Sequence, residues 1–296
     1  MAGFTEAEER FHFSLWSIAK SPLIIGFPIS SAPASSLAVV SNEEVIAINQ
    51  DSLAAPATLR RRYTEEEWDV WAGPLSGDRL VLALANWKGA TQTVSVDLGA
   101  VLGVSEAKAR DVWAGEDVGV VSGVYEASLG GHELRLLVLS DIVPSEAGEP
   151  VSTGYHAAQA ASLASPASLS ECSDGECLPS GAKVGNLIGS ATATFTGVEA
   201  SSAGTKLVAV DYINYDVAMG SAWDWGSNTR NLTVAVNGGD AKRWALPLSG
   251  GDWYDAGRLL IEVPGFDAGE DNTIVFGSHQ NQYAPDLVGF EVLEFA

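Results

Sequence analysis

Aromatic residues set in polar, glycine-rich loops are the side chains of this chain that most clearly suggest a chemistry. Trp223 and Trp225 stand in the segment GSAWDWGSN, and Trp253 and Tyr254 stand in GGDWYD. An aromatic ring can stack on the C–H face of a sugar while neighbouring polar groups bond to the sugar hydroxyls. These loops therefore predict a carbohydrate-binding rim, although covering the edge of a β-sandwich is an equally good interpretation of any single tryptophan. Further candidates for the rim lie in other polar loops: Tyr215, Asp216, Asn281, Tyr283 and Arg230.

Two acidic segments could supply paired carboxylates for hydrolysis. One holds Glu65, Glu66, Glu67 and Asp69, and the other is the turn around residues 116–117. Glycosidases need two carboxylates held in fixed opposition by rigid elements, whereas acidic runs are usually solvated surface. We therefore predict no catalytic residue in either segment. The chain also lacks the GxSxG, GxxxxGK[ST], GxGxxG and HExxH motifs of other reaction classes.

The only two cysteines, Cys172 and Cys177, lie five positions apart in the polar segment ECSDGECLPSG. This spacing predicts a small disulfide loop and favours an oxidising compartment. A redox or metal-binding pair is the alternative, but the four histidines are scattered along the chain. The only N-x-[ST] sequon begins at Asn231, and it predicts a glycan of the kind that secreted proteins carry.

The charge of the chain limits its partners. Sixteen basic and 38 acidic residues give a net charge of -22, so nucleic acid and anionic membrane surfaces would be repelled while neutral sugars remain open. No apolar run is long enough to span a membrane. The start, MAGFTEAEER, does not resemble a signal peptide, and we expect a front segment to be missing.

The first 57 residues show a helix, strand, helix pattern. Thr5 followed by Glu8 predicts a capping box, and Pro22 ends the helix that follows. The run at residues 23–25 predicts a short buried strand, and residues 34–49 predict a second helix.

The remainder of the chain predicts two β domains. Residues 58–142 alternate apolar and polar side chains in short runs, which is typical of an antiparallel β-sandwich. Residues 143–154 are rich in proline, glycine, serine and acid, and we interpret them as a linker. Residues 155–296 predict a second sandwich of the jelly-roll type. The fold class is therefore mainly β, with a short helical part in front of two antiparallel sandwiches.

Five motifs occur in order in the first half of the chain: TEAEERFHFSLW, KSPLIIG, SNEEVIAINQD, VWAGPLSG and RDVWAGEDVG. Through these motifs, nearly half of the chain resembles the α-galactosidases of glycoside hydrolase family 27, also called melibiases, of the fungal type. Residues 3–51 resemble the last part of the family's catalytic (β/α)8 barrel, and residues 60–142 would be its C-terminal β-sandwich. The resemblance implies hydrolysis of terminal α-galactosyl residues with retention. The family's two catalytic aspartates belong to earlier barrel strands whose motifs cannot be found here, so we expect this chain to be inactive alone.

A barrel needs about 250 residues, so residues 1–57 would form only a remnant of one. The stripe of apolar residues that would face the other barrel strands is then expected to be exposed and to cause self-association. That stripe consists of Phe11, Leu15, Ile18, Leu23 and Ile25.

From Tyr155 onward the chain contains the motifs YHAAQA, KVGNLIG, NLTVAVNGG, LPLSGGDWYD and NTIVFG. Through these motifs it is similar to carbohydrate-binding modules of family 35. Many such modules hold a calcium ion between acidic residues near the first and last strands. Those positions differ here, at Tyr155–Ala158 and Leu287–Val288, so we expect no metal and no cofactor. Since the family often carries an aromatic residue in the same loop, Trp253 is the leading candidate for sugar contact.

These observations favour a secreted α-galactosidase-family hydrolase whose partner is a galactose-containing oligosaccharide or polysaccharide. The alternative is a non-catalytic carbohydrate-binding protein or fragment. A structural fragment that binds no sugar is the third interpretation.

Overall fold

The computed structural model describes residues 3–148, 150–217 and 229–295. It is mainly β, as predicted, and divides into two compact units. Unit 1 comprises Met1–Arg62 and Glu66–Gly148, and unit 2 comprises Tyr63–Glu65 and Glu149–Ala296. Among the described residues, no helix is long and apolar enough to cross a membrane.

The first helix, α1 (Glu6–Ile18), begins with the predicted capping box. The Thr5 hydroxyl accepts the N–H of Glu8 at 3.3 Å, and Glu8 Oε2 accepts the N–H of Thr5 at 2.7 Å. Two otherwise unbonded donors at the helix start are thereby satisfied. The sequence pattern alone was sufficient to place this helix start.

The predicted helix over residues 34–49 is instead two helices, α2 (Ala34–Val40) and α3 (Glu43–Asn49). Asn42 accepts the N–H of Val45 through its side-chain oxygen at 3.0 Å. An asparagine in this position starts a new helix because it competes with the helical backbone bonds. The apolar periodicity continues across the break and hides it in the sequence.

The predicted strand at residues 23–25 is not formed. The N–H of Ile24 bonds to the carbonyl of Pro22 at 3.0 Å, which is a local turn. A buried parallel strand requires hydrogen-bonded neighbours on its sides. The apolar run has no such neighbours within unit 1, so it remains an irregular segment.

The β part of unit 1 has one sheet of six strands, in the order β1-β2-β3-β8-β5-β6, and a separate hydrogen-bonded pair, β4-β7. The pairings among β2 to β8 are antiparallel, as expected for a sandwich. The short helix α4 follows β4. The elements are β1 (Thr58–Tyr63), β2 (Trp68–Leu75), β3 (Arg79–Asn86), β4 (Gln92–Asp97), α4 (Leu98–Leu102), β5 (Val104–Asp111), β6 (Glu116–Ser122), β7 (Val124–Leu129) and β8 (Leu134–Pro144).

The helices and the sandwich of unit 1 share one hydrophobic core. Phe11 and Ile18 are only 7% and 1% exposed, so the prediction that they would be uncovered is wrong. The Phe11 ring packs edge-on against Trp87 with centroids 4.6 Å apart. The irregular segment after α1 does remain exposed, with Ile24 at 76% and Ile25 at 44%.

Unit 2 contains two antiparallel sheets, as the predicted jelly-roll sandwich requires. One has the order β10-β13-β18-β15-β16, and the other has the order β11-β12-β19-β14-β17, with β9 also pairing with β19. The strands are β9 (Val151–Ala157), β10 (Ser162–Ala164), β11 (Ser168–Glu171), β12 (Ala182–Gly185), β13 (Thr192–Ala200), β14 (Gly204–Ile213), β15 (Arg230–Val236), β16 (Lys242–Leu246), β17 (Gly257–Phe266), β18 (Gly269–Ser278) and β19 (Asp286–Glu294).

Three phenylalanines occupy the centre of unit 2. Phe195, Phe276 and Phe290 are each at most 1% exposed and contact one another with centroids 5.0 to 5.9 Å apart. Phe195 and Phe276 come from one sheet and Phe290 from the other. The aromatic cluster therefore joins the two layers of the sandwich.

Strands reach into both ends of the segment predicted as a linker. β8 ends at Pro144 and β9 begins at Val151, which leaves residues 145–150 between them. The boundary between the two units, at residues 148–149, lies within this interval.

Asp51, which follows α3, is a buried carboxylate that accepts four hydrogen bonds. Its Oδ1 accepts the N–H groups of Leu53 at 3.0 Å and Ser76 at 2.9 Å. Its Oδ2 accepts the Ser76 hydroxyl at 2.7 Å and Arg79 Nη2 at 3.2 Å. The bond from the Ser76 hydroxyl is the largest of the effects that lower the pKa of Asp51 to about 2.

We expect the stabilisation by Asp51 to be lost in acid. An unfolded aspartate has a pKa of about 3.9, so the contribution is complete above that pH and disappears as the pH falls through about 2. The urea midpoint of Asp51→Asn should be lower than that of the parent chain at pH 6, and the difference should shrink at pH 2. An equal difference at both pH values would contradict this assignment.

Candidate functional site

The acidic segments that could have supplied a catalytic pair contain one carboxylate that is buried in an ion pair and several that are exposed to solvent. Asp69 is fully buried and forms a bidentate pair with Arg62, at 2.9 Å to Nε and 2.8 Å to Nη2. Its Oδ2 also accepts Trp87 Nε1 at 3.0 Å. Glu116 and Asp117 are exposed at the start of β6. Neither segment holds two carboxylates facing each other across a cleft, which glycosidase chemistry requires.

Trp253 is the centre of an aromatic and charged cluster in unit 2. Its half-buried ring meets the ring of Tyr215 edge-on, with centroids 6.3 Å apart. The guanidinium carbon of Arg230 lies 4.7 Å from the centroid of Trp253 and 5.6 Å from that of Tyr283. Such cation–π contacts are attractive and restrict the orientation of the rings. The structure thus brings together four of the residues that the sequence singled out.

The disulfide lies beneath this cluster. Cys172 and Cys177 are bonded, which confirms the predicted loop, and they pack with Ile213 and Trp253. Cys177 is fully buried, and its N–H donates to the carbonyl of Tyr254 at 2.9 Å. The cysteine loop therefore supports the turn that carries both aromatic residues.

Lys183 was not predicted, yet it connects β12 to the aromatic turn. Its Nζ donates to the carbonyl of Trp253 at 2.6 Å and pairs with Asp286 Oδ2 at 2.9 Å. The same ammonium lies 4.8 Å from the ring centroid of Tyr254. The side chains of Lys183 and Asp286 are only 13% and 16% exposed. Little water reaches this pair, so its attraction is weakly screened.

Arg230 has its charge balanced within the cluster. Its Nε lies 3.5 Å from Asp216 Oδ2, and these side chains are 13% and 15% exposed. Its Nη1 donates to the carbonyl of Ala284 at 3.3 Å. Asp216 is held by a bond from its own N–H to Asn214 Oδ1 at 3.1 Å. Two loops that are distant in sequence are thereby joined through one guanidinium.

Local hydrogen bonds shape the GGDWYD turn. Asp252 Oδ1 accepts the N–H of Tyr254 at 2.7 Å and the N–H of Asp255 at 3.1 Å. Aspartate commonly bonds to its own backbone two residues on, which stabilises such turns. Gly250 is required, because a Cβ there would lie 2.3 Å from the Cβ of Asp255. The turn leaves Tyr254 46% exposed.

The remaining predicted site residues are exposed, buried or outside the described residues. Asn281 is exposed in the loop after β18, two positions before Tyr283, which is 42% exposed. Trp223 and Trp225 lie outside the described residues. Asn231 is only 1% exposed in β15. A glycan requires its asparagine in solvent, so this burial argues against the predicted glycosylation.

The first strand of unit 2 contains Tyr155 and His156, in the region where the carbohydrate-binding modules that the chain resembles have acidic calcium ligands. Burial raises the pKa of Tyr155, whose hydroxyl also bonds to Asp211. His156 stacks on Phe290 with centroids 4.8 Å apart, and burial lowers its pKa. In the part of the chain that the structure describes, no group of three or more His, Cys, Asp or Glu side chains could hold a metal ion.

Comparison with known sequences identifies relatives along nearly the whole chain. Residues 65–139 match the family described as "Alpha galactosidase C-terminal beta sandwich domain". The chain is 30% identical to Alpha-galactosidase D of Emericella nidulans over 398 alignment positions, which cover 98% of the chain and 60% of that protein. A probable alpha-galactosidase D of Aspergillus oryzae is 32% identical, with 97% and 60% covered. The chain thus spans about 60% of these relatives, and an alignment longer than its 296 residues means that they contain segments without a counterpart here.

Solved structures match about half of the chain. Alpha-galactosidase I of Mortierella vinacea is 26% identical, with a TM-score of 0.46 and coverage of 49% of this chain and 38% of its own. A GH27 β-L-arabinopyranosidase from Geobacillus stearothermophilus is 32% identical, with a TM-score of 0.43 and coverage of 47% and 31%.

Proposed function

We propose that this chain is the C-terminal part of an α-galactosidase of glycoside hydrolase family 27. The observation that carries the proposal is the alignment of 98% of the chain with Alpha-galactosidase D, supported by the domain match at residues 65–139. The whole enzyme would remove terminal α-galactosyl residues with retention of configuration. The proposed domains are a barrel part at residues 1–57, a β-sandwich at 58–142, a linker at 143–154 and a binding module at 155–296.

The hydrolytic centre would be completed by sequence outside these 296 residues. The family's catalytic aspartates belong to barrel strands that no segment of the chain resembles, and Asp69, the most buried acid of its segment, is held by Arg62. We therefore assign no catalytic residue to this chain.

This assignment is tested by fusing the chain to the part of Alpha-galactosidase D that it does not cover. A chromogenic α-galactoside should be hydrolysed by the fusion and not by the chain alone. Hydrolysis by the purified chain itself would contradict the assignment, and a folded but inactive fusion would count against the family.

Within such an enzyme, unit 2 would bind galactose-containing oligosaccharides or polysaccharides. The cluster around Trp253 supports this role, because its turn is held in place before any ligand arrives and it leaves the rings of Tyr254 and Tyr283 exposed. A pre-formed site loses less entropy on binding. The same observation favours the second candidate function, a carbohydrate-binding protein without catalysis of its own.

We also propose secretion, because disulfides such as Cys172–Cys177 persist in oxidising compartments. Expression in a secreting host and in a reducing cytoplasm tests this, since the chain should reach its full stability only where the disulfide forms. Equal stability with and without the disulfide would remove the support for secretion.

The exposed segment after α1 is the proposed surface for self-association. Ile24 and Ile25 of this segment, together with Trp16 of α1, are 39% to 76% exposed and line a groove of about 400 Å³. Contiguous apolar surface of this kind promotes association. Sedimentation of the chain should show dimers, and Ile24→Glu should shift it to monomer. A monomeric parent chain at high concentration would contradict this proposal.

A further inference from the structure

A hollow of about 360 Å³ lies beside the disulfide loop in unit 2. It is lined by residues from the segments 175–178 and 249–256, including Leu178, Tyr254 and Asp255. The side chains of Leu178 and Tyr254 are 58% and 46% exposed. Small-molecule sites commonly have volumes of about 300–1,000 Å³ and combine apolar walls with a few polar groups. This hollow has both features.

Tyr254 provides a fixed wall of the hollow. Its N–H is held by Asp252 Oδ1 at 2.7 Å, and its carbonyl accepts the N–H of Cys177 at 2.9 Å. The ammonium of Lys183 lies 4.8 Å from the ring centroid, yet Lys183 does not line the hollow. One face of the ring is therefore directed to the ammonium, and the other is available to a ligand.

Trp253 is placed differently from Tyr254. Its ring carries the Arg230 guanidinium at 4.7 Å, meets Tyr215 at its edge and packs on the disulfide. It also does not line the hollow. These contacts already occupy much of the ring surface that a sugar would need. Trp253 is better suited to hold the turn in position than to stack on a ligand.

Asp255 supplies the polar group. Its Oδ2 accepts the N–H of Gly251 at 2.8 Å, while Oδ1 has no hydrogen-bond donor within the described residues. A carboxylate oxygen in this state can accept a bond from a sugar hydroxyl. Asp255 places a carboxylate on the hollow, and the whole chain has a net charge of -22. Acidic sugars would therefore be repelled.

We propose that this hollow is the sugar subsite of unit 2 and that it takes a neutral pyranose. The C–H face of the pyranose stacks on Tyr254, and a hydroxyl donates to Asp255 Oδ1. Trp253 is a positioning residue that acts through the turn. This inference rests on the proposed function, because it identifies which residues of the aromatic cluster contact the ligand.

The test is calorimetric titration of the full chain and its variants with methyl α-galactopyranoside and with galacturonate. Tyr254→Ala should weaken binding of the neutral sugar at least about tenfold, whereas Tyr254→Phe should remain within about twofold, because the ring supplies the stacking contact. Tyr283→Ala tests the other exposed ring of the cluster, which does not line the hollow. The matched control is Phe295→Ala, because this ring is 37% exposed in unit 2 and does not line the hollow. Both variants should also remain within about twofold.

The outcomes separate this inference from the proposed function. If the parent chain binds the neutral sugar and only Tyr283→Ala weakens binding, the subsite is misplaced while the sugar-binding function stands. If galacturonate binds as tightly as the neutral sugar, the selectivity argument is overturned. If neither sugar binds, both this inference and the sugar-binding role of unit 2 fail. Unfolding curves of Tyr254→Ala should match those of the parent chain, since the side chain is half exposed.

Discussion

Replacing Asp69 with asparagine is expected to lower the free energy of unfolding of unit 1 by about 3–5 kcal/mol. Asp69 is fully buried, and the Arg62 side chain that it pairs with is only 6% exposed. The substitution removes the negative charge but leaves the guanidinium in place, where water cannot replace the lost partner. Trp87 Nε1 also loses a charged acceptor at 3.0 Å.

Urea-dependent hydrogen exchange on peptides from β2 and β3 measures this change separately from unit 2. The matched control is Asp117→Asn, because Asp117 also pairs with an arginine, at 3.0 Å, but its side chain is 82% exposed. An exposed pair contributes about 0–1 kcal/mol. If Asp69→Asn costs no more than Asp117→Asn, the pair does not stabilise unit 1 as described.

Replacing Lys183 with methionine is expected to destabilise unit 2 by about 3 kcal/mol, at the low end for a buried pair because some water reaches it. The change leaves Asp286 without its cation and the Trp253 carbonyl without its 2.6 Å donor. Because the turn then loses its connection to β12, sugar binding should also weaken by about tenfold, which corresponds to about 1.4 kcal/mol.

Two further variants distinguish a positioning role from a general loss of charge. Lys183→Arg retains a donor and a charge and should recover part of the stability and of the sugar affinity. Lys108→Met removes a lysine that pairs with Asp141 at 2.7 Å but is 65% exposed, so it should change stability by less than about 1 kcal/mol. Exchange on peptides of β12 and β19 gives the stability, and calorimetry gives the affinity. Unchanged affinity in Lys183→Met would show that the turn keeps its position without the ammonium.

Strands such as β4 and β17 could be predicted because their side chains alternate between interior and solvent, a signal that depends only on neighbouring residues. The same is true of the capping box at Thr5. Residues 23–25 have the apolar run of a buried strand but do not form one, because a strand exists only where another strand bonds to it. The break at Asn42 was missed because the apolar pattern runs through it.

The parts of the site that are formed by residues close together in the sequence could be predicted. The GGDWYD turn is organised by an aspartate and glycines within six positions, so the sequence could indicate it. Lys183 could not be found in this way, because its bond to the carbonyl of Trp253 joins residues 70 positions apart. The burial of Asn231 likewise depends on the packing of β15, which the sequon does not report.

Saturation-transfer NMR of an α-galactosyl disaccharide mixed with the full chain tests the central claim most directly. The claim is that unit 2 binds the galactosyl unit and that the chain does not hydrolyse it. We predict transfer of saturation to the galactosyl ring protons and an anomeric signal that stays constant with time. Absence of transfer at millimolar sugar would contradict binding by unit 2, and a steady loss of the anomeric signal would contradict the absence of a catalytic site in the chain.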